Sequence, residues 1–272
     1  MPAGLALLGY GISLTGMTRA QRAVWVKARI IRVGQPAHGA SEGPRIPVTL
    51  AFQDPATGEE FILSNAVKHG DVIEQAWVGR EFEVRYPPGR PHRFRVVLDG
   101  VGERNGRTGP NCAVILLLVG LVVHATVVWG YPWALLGFGA LLTVSAAISP
   151  DIRLARARDA LLASAIAVPA RVVAVTKDVY TDGEGDEIVV HTPVVTFTTL
   201  EGTHVTGVSR DGIPDPGLSL DRDLTIYYAP SDPAVYTPDL AADRRDNERA
   251  IGTIIILLIT GIAAVVAGAA TL

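Results

Sequence analysis

The sequence predicts a fold that combines membrane α-helices with all-β domains. We expect a tandem duplication, in which each copy runs helix, small antiparallel β barrel or sandwich, helix. Two observations predict the class: three stretches contain no Asp, Glu, Lys or Arg, and the polar blocks between them have β character. A third observation, a nine-residue frame that occurs once in each block, predicts the duplication.

The first uncharged stretch covers residues 1–18, which we interpret as a probable transmembrane helix. A signal peptide would have basic residues before its apolar region, whereas here Arg19 and Arg22 follow it. The stretch is short and rich in glycine. Its position at the start of a repeated helix–β–helix unit favours a span.

The second uncharged stretch, residues 108–150, is long enough for two helices, because one span needs roughly 20 apolar residues. Its middle reads WGYPW, a turn whose aromatic residues suit a water–lipid interface. We expect spans at 111–129 and 132–149, followed by a juxtamembrane helix at 150–166. The last stretch predicts a fourth span at 250–270.

The blocks at 19–107 and 167–240 predict two β domains, because apolar and polar residues alternate over short runs separated by turn sequences. In EFEVRY the residues Phe82, Val84 and Tyr86 share one face. In DLTIYY the residues Leu224, Ile226 and Tyr228 do the same. About five strands in each block suit a small antiparallel barrel or sandwich.

The recurring frames are YPPGRPHRF and YAPSDPAVY, which share a Tyr, prolines at two matching positions and a final aromatic residue. We interpret them as a strand end and turn that close each domain, with the last aromatic folding back onto the sheet. A loop that contacts a peptide or a lipid is the alternative. The signature residues are Tyr86, Pro88, Pro91 and Phe94 in the first block and Tyr228, Pro230, Pro233 and Tyr236 in the second.

The second block, clearest over residues 169–239, resembles the bacterial membrane proteins grouped as domain of unknown function 3592. The residues that carry the resemblance are ARVVAV, HTPVVTFTTLEGTHVTG and LTIYYAPSDPAVY. The first block departs from the family where it has YPPGRPHRF. The resemblance implies a membrane-anchored β domain and no known activity. A ratio of 21 Arg to 3 Lys also suits a GC-rich bacterial genome.

Candidate chemical sites are few, and we predict no catalytic, cofactor or metal site and no enzyme. Cys112 is alone, so an internal disulfide and a CxxC metal site are excluded. The acidic loop DGEGDE, residues 182–187, has Pro193 where a calcium loop needs Glu, which favours a solvated hairpin tip. His124, the ionisable side chain inside the uncharged stretches, is either a functional site or a residue bonded to Thr143 or Ser145.

Charge predicts location and partners. Basic residues flank the apolar stretches on the side of the two blocks, so both β domains should be cytoplasmic in a multi-pass cell-membrane protein. Residues 19–107 have 14 basic and 10 acidic side chains, a net charge of +4, whereas residues 151–249 have 10 and 17, a net charge of −7. Neither block suits nucleic acid.

The expected partners are therefore the lipid bilayer and either an unknown protein or the other β domain of the same chain, because opposite charges attract. The leading functional hypothesis is protein interaction or scaffolding by the cytoplasmic β domains. The alternative is a ligand-sensing or transport-accessory membrane protein with a pocket between the duplicated units.

Overall fold

A computed structural model describes residues 2–15, 18–39, 46–65, 72–97, 108–181, 183 and 185–272. The helices in this part of the chain are α1 Pro2–Leu14, α2 Thr108–Trp129, α3 Tyr131–Ile148, α4 Asp151–Leu162 and α5 Leu240–Ala270. The strands of the first block are β1 Val24–Val33, β2 Val48–Gln53, β3 Glu60–Ser64, β4 Gln75–Ala76, β5 Glu81–Tyr86 and β6 Arg95–Val97. Those of the second are β7 Ile166–Thr181, β8 Glu187–Thr198, β9 His204–Val208, β10 Asp223–Ala229 and β11 Asp232–Thr237.

The chain divides into two compact units. The β unit combines Ala23–Leu98 with Arg158–Arg244, so both predicted β blocks belong to a single unit. The helical unit contains the described parts of Met1–Arg22, Asp99–Ala157 and Arg245–Leu272. The predicted class, helices together with antiparallel sheets, is confirmed.

Two antiparallel sheets form the β unit. The first has the strand order β3-β2-β1-β5-β6 and curls toward a barrel, because side chains near its two edges meet. The ring of Phe61 on β3 stands edge-on to His92, at 5.8 Å between centroids, just before β6. The second sheet has the order β11-β10-β7-β8-β9-β4 and thereby includes one strand of the first block.

The two sheets repeat one plan, since β6-β5-β1-β2-β3 and β11-β10-β7-β8-β9 are the same order of neighbours. The irregularities also correspond. A bulge leaves Ile31 without a partner between Ile30 and Arg32 on β1, and another leaves Val173 without a partner between Val172 and Ala174 on β7. Each bulge lies two residues beyond an Ala-Arg pair in its strand.

The alternation that predicted the strands is confirmed by burial. Phe82, Val84 and Tyr86 of β5 are buried, as are Ile226 and Tyr228 of β10, and Leu224 is partly buried against the same core. Burial of these side chains on one face removes apolar surface from water, which is the main favourable term in folding.

Each apolar core takes side chains from the other block. The first core includes Ala174, Val194 and Val208 from β7, β8 and β9, in addition to side chains of the first block. The second core receives Trp77 from the first block. The two blocks therefore bury surface against each other within one unit.

The segment around β4 joins the sheets. Gln75 pairs with Gly207 and Ala76 pairs with Thr206, so two residues of the first block extend the second sheet. Val208 N–H also donates to the carbonyl of Glu74 at 2.8 Å. The missing side chain of Gly207 is required here, because a Cβ at that position would lie 2.1 Å from the Tyr236 hydroxyl.

In the helical unit, α2, α3 with the following α4, and α5 are long and apolar enough to cross a membrane. Helix α1 has 13 residues, about 20 Å at 1.5 Å per residue, which is less than a hydrocarbon core of about 30 Å. The span predicted at 1–18 therefore corresponds to a helix shorter than a bilayer core. Tyr10 of α1 donates a hydrogen bond to Asn111 of α2.

Helices α3 and α5 approach closely through glycines. A Cβ on Gly261 of α5 would lie 2.5 Å from Thr143 Oγ1 and 2.9 Å from the carbonyl oxygen of Gly139. A Cβ on Gly268, two turns further on, would lie 2.8 Å from the carbonyl oxygen of Pro132. Small residues at such contacts let helix backbones approach and gain dispersion energy along the seam.

We expect Gly261→Val to destabilise the protein by about 1–3 kcal/mol, because the added methyl groups have no space against α3. The matched control is Gly252→Val on the same helix, where nothing lies within 4 Å of the added Cβ. Thermal unfolding of the detergent-solubilised protein measures the difference. Equal melting temperatures for the two variants would contradict the close helix contact.

Candidate functional site

The signature residues of the two frames close the two cores. Tyr86 and Phe94 pack on Phe52, with ring centroids 5.6 and 6.0 Å from that of Phe52. Tyr228 and Tyr236 pack in the same way on Phe197, at 5.8 and 5.4 Å. Each frame thus supplies two rings of an aromatic triad inside the fold.

The four prolines of the frames occupy positions where a missing N–H costs no sheet hydrogen bond. Pro88 and Pro230 lie in turns, and Pro91 opens a 3₁₀ turn. Pro233 lies in β11, an edge strand of the second sheet, where proline is tolerated. The structure places these residues in the scaffold of the β unit.

The buried tyrosines have hydroxyl groups in defined surroundings. The Tyr236 hydroxyl donates to the carbonyl of Val208 at 2.7 Å, and the Tyr228 hydroxyl accepts the N–H of Leu200 at 3.0 Å. Burial raises the pKa of Tyr236 above its ordinary value. Burial, assisted by the carboxyl group of Asp54, raises the pKa of Tyr86 to about 12.

His124 and the acidic loop are the two further features that the sequence singled out. His124 is exposed on α2, and no hydrogen bond joins it to Thr143 or Ser145 among the described residues; Thr143 donates to the carbonyl of Gly139 instead. In the acidic loop, Asp182 and Glu184 lie outside the described residues. No group of three or more His, Cys, Asp or Glu side chains with metal-binding geometry occurs among the residues that the structure describes.

A groove with a volume of about 620 Å³ lies in the β unit where the two bulged strands meet. We use the name groove for the cavity lined by the end of β1 and its following loop, the bulge of β7, and residues of β8 and β9. The bulge residues Ile31 and Val173 both line it, with 41% and 36% of their surfaces exposed. Each of them follows a buried residue, Ile30 or Val172, so the alternation of its strand places it on the exposed side that lines the groove.

The polar lining of the groove contains one basic residue, Arg32, and one acidic residue, Asp221, and the two differ in their partners. Arg32 makes no ion pair or side-chain hydrogen bond with any described residue. The acidic group of the lining, Asp221, forms an ion pair with Arg171 at 3.2 Å. His204 shares a hydrogen bond of 2.9 Å with the hydroxyl of Thr198. The available charge in the groove is therefore positive.

The second exposed feature is a hairpin extension, which we name the arm: Lys177–Thr181 of β7 paired with Glu187–His191 of β8. It contains five residue pairs and is about 17 Å long at 3.4 Å per residue. Five apolar side chains of the arm are exposed: Val179, Tyr180, Ile188, Val189 and Val190. Both faces of the ribbon therefore present apolar surface.

Strand pairing beside the arm ends before the arm begins, over the described residues. Strand β10 pairs with β7 from Ile166 to Arg171, and backbone bonds of Val172 with Asp221 and Arg222 follow on that side. Strand β9 pairs with β8 from Val194 onward. Among the described residues, no third strand therefore pairs with the arm.

Sequence reasoning found the frames and missed the groove and the arm. The signal for the groove is present in ARIIRV and ARVVAV, where two adjacent β-branched residues interrupt the alternation at the same place in both blocks. The signal for the arm is the length of the apolar run on both sides of DGEGDE. Neither pattern specifies which residues another strand covers.

These features define a class: a chain with three helices long and apolar enough to cross a membrane, and a β unit built from two sheets of the same strand order. Comparison with models of known families, with curated proteins and with solved structures finds no match. The resemblance to the domain of unknown function 3592 family stays a prediction.

The raised pKa of Tyr86 predicts a loss of stability in alkali. A folded-state pKa of about 12, above an unfolded value of about 10, means that the folded state holds the proton more tightly. Its contribution is complete below pH 10 and is lost as the pH rises toward 12, at up to about 1.4 kcal/mol per pH unit. Tyr86→Phe should therefore reduce the decline.

The measurement is chemical denaturation of wild type and Tyr86→Phe between pH 9 and 11.5, followed by circular dichroism of the strands. A parallel decline of both proteins over this interval would contradict the role of the Tyr86 hydroxyl. At pH 9 the Tyr86 hydroxyl is protonated in both the folded and the unfolded protein. A difference in stability between the two proteins at that pH therefore reports a change of packing.

Proposed function

We propose that this chain is a multi-pass membrane protein whose arm binds an extended, apolar and basic segment of a partner protein. The observation that carries the proposal is the arm itself, a two-stranded ribbon with five exposed apolar side chains and no third strand paired with it among the described residues. Exposed apolar strand edges in soluble surroundings invite pairing with another chain.

The mode of binding that suits the arm is strand addition. Backbone N–H and C=O groups on an edge of the arm would bond the main chain of the partner, and alternate side chains of the partner would contact Val179, Tyr180 or Ile188. Because main-chain bonds depend little on sequence, these apolar contacts would supply the specificity.

The basic character of the partner segment follows from charge. Residues 151–249 have a net charge of −7, and four of their 17 carboxylates occur in DGEGDE, the sequence that connects the two strands of the arm. The same acidic sequence opposes approach to an anionic lipid surface. A segment with Lys or Arg beside apolar residues would be attracted to the arm and oriented by its tip.

Membrane embedding is supported by the helices that are long and apolar enough to span. We propose that α2 and α3 form a pair of spans, that α5 is a further span and that both β blocks are cytoplasmic. Arg153, Arg156 and Arg158 follow α3, whereas the Gly130–Pro132 turn between α2 and α3 has no basic residue. The turn and the C-terminus would then be outside.

Tandem duplication and intramolecular pairing of the β blocks are parts of the same proposal. Shared strand order and corresponding bulges support a common origin of the blocks. Mixed cores and the ion pair between Arg210 and Glu74 support pairing within one chain. The paired blocks would form the rigid base from which the arm projects.

A photo-crosslinking amino acid in place of Tyr180 should capture a discrete partner protein in intact cells, because Tyr180 is exposed on the arm. Ile188→Lys, which places a charge on the residue opposite Tyr180, should reduce the adduct at least several-fold. The matched control places the crosslinker at Leu200, which is exposed in the β unit beyond the end of β8 that is opposite the arm.

Equal adducts from Tyr180 and Leu200, or an adduct at Tyr180 that Ile188→Lys leaves unchanged, would overturn the assignment to the arm. If the adduct joins only two copies of this chain, the arm mediates self-association, and the proposal of a different partner protein is wrong.

The proposed orientation predicts cysteine accessibility. In a Cys112→Ser background, Leu218→Cys should resist a membrane-impermeant maleimide in intact cells and react after permeabilisation. Leu272→Cys at the end of α5 should react in intact cells, because the C-terminus would be outside. Both side chains are largely exposed, so reagent access depends on the side of the membrane. The reverse labelling pattern would invert the topology.

A further inference from the structure

We propose that the groove is a binding site for a small aliphatic carboxylic acid. The site lies where the corresponding bulges of the two blocks meet, and this role goes beyond partner binding by the arm. A volume of about 620 Å³ lies within the range of small-molecule sites in proteins.

The apolar part of the site comes from both blocks. Ile31 and Val78 belong to the first block and Val173 to the second, and all three are at least 36% exposed. The exposure of Ile31 and Val173 follows the alternation of their strands, since Ile30 and Val172 before them are buried. An aliphatic chain that covered these side chains would remove their surfaces from water, which favours binding in proportion to the buried area.

The charge of the site selects an anion. Arg32 follows the bulge of β1 directly, and among the described residues it has no carboxylate partner. Asp221 is the acidic residue of the lining, and its pairing with Arg171 at 3.2 Å offsets its charge. A guanidinium group binds a carboxylate through two parallel hydrogen bonds, so Arg32 can hold the head of the acid.

The remaining polar groups of the lining are neutral side chains that accompany Arg32 around a bound carboxylate. The hydroxyl of Thr196 already donates to the carbonyl of Val205 at 3.2 Å, and His204 is bonded to Thr198. Thr206 and Gln35 supply further polar groups in the lining. The ligand class is thus an acid with a short aliphatic chain, recognised by one cation and an apolar wall.

Arg32 of the first block and Ala174 of the second occupy corresponding positions, so only the first block provides a charged group at this position. The strand registers place Arg32 opposite Thr49 and Ala174 opposite Val194, at corresponding steps past the two bulges. Ala174 is fully buried in the first core, whereas Arg32 lies on the exposed side of β1. The second block therefore contributes its bulge to the wall, and the first block contributes the charge.

The test is isothermal titration of the full chain in nanodiscs with 4-methylpentanoate. Saturable binding is expected, about tenfold weaker for Arg32→Gln and partly restored by Arg32→Lys, because charge-assisted hydrogen bonds are stronger than neutral ones. Acetate, which lacks the aliphatic chain, should bind at least tenfold more weakly than 4-methylpentanoate. The matched control is Arg29→Gln, which removes an exposed Arg of the same strand that is paired with Glu81.

Three results would overturn the proposal. These are an absence of saturable binding, equal affinity for 4-methylpentanoate and its uncharged amide, and equal loss in Arg29→Gln and Arg32→Gln. Binding confined to N-acetyl-alanyl-leucine would overturn the assignment to a free acid, because the carboxyl end of a peptide would then be the ligand. Because Arg32 is exposed, its variants should fold, which circular dichroism verifies.

Discussion

The pairing of β4 with β9 is the contact on which the β unit depends. Among the described residues of the first block, Gln75 and Ala76 are the two that enter the second sheet. They bring with them Trp77, which packs into the second core, and Arg80, whose guanidinium lies 4.6 Å from the ring centroids of both Trp77 and Phe82. Burial lowers the pKa of Arg80, and Asp232 and Tyr236 oppose this effect. One short strand thus connects hydrogen bonding, apolar packing and charge across the two blocks.

The blocks share a plan but differ where they meet. The strand registers align three polar residues of the first block with three apolar residues of the second. The aligned pairs are Arg32 with Ala174, Thr49 with Val194, and Ser64 with Val208. The three apolar residues of the second block are buried in the first core, so the contact between the blocks is asymmetric. A symmetric contact would also bury the three polar residues of the first block, and burying unpaired polar groups costs free energy. The polar positions instead leave Arg32 free to face the groove.

The extent to which the fold could be read from the sequence differs between its parts. Alternation in EFEVRY and DLTIYY predicted which side chains are buried, because successive residues of a strand point to opposite faces. The frames predicted the closing aromatic rings, since Tyr, Pro and a final aromatic suit a strand end and turn. By contrast, two residues such as Gln75 and Ala76 carry no periodic pattern, and their strand exists only because β9 lies beside them. The arm was missed for a related reason: a run of apolar residues does not say whether anything covers it.

By itself, the sequence determined the uncharged helices, the alternating strands and the correspondence of the two frames, because these depend on the order of apolar and polar residues along the chain. The tertiary structure alone decided that both blocks share their cores and that the bulge residues of β1 and β7 line one cavity. Those outcomes depend on which surfaces touch across more than a hundred residues of sequence. Local pattern carries no information about such contacts, and the pairing of Gln75 with Gly207 is one of them.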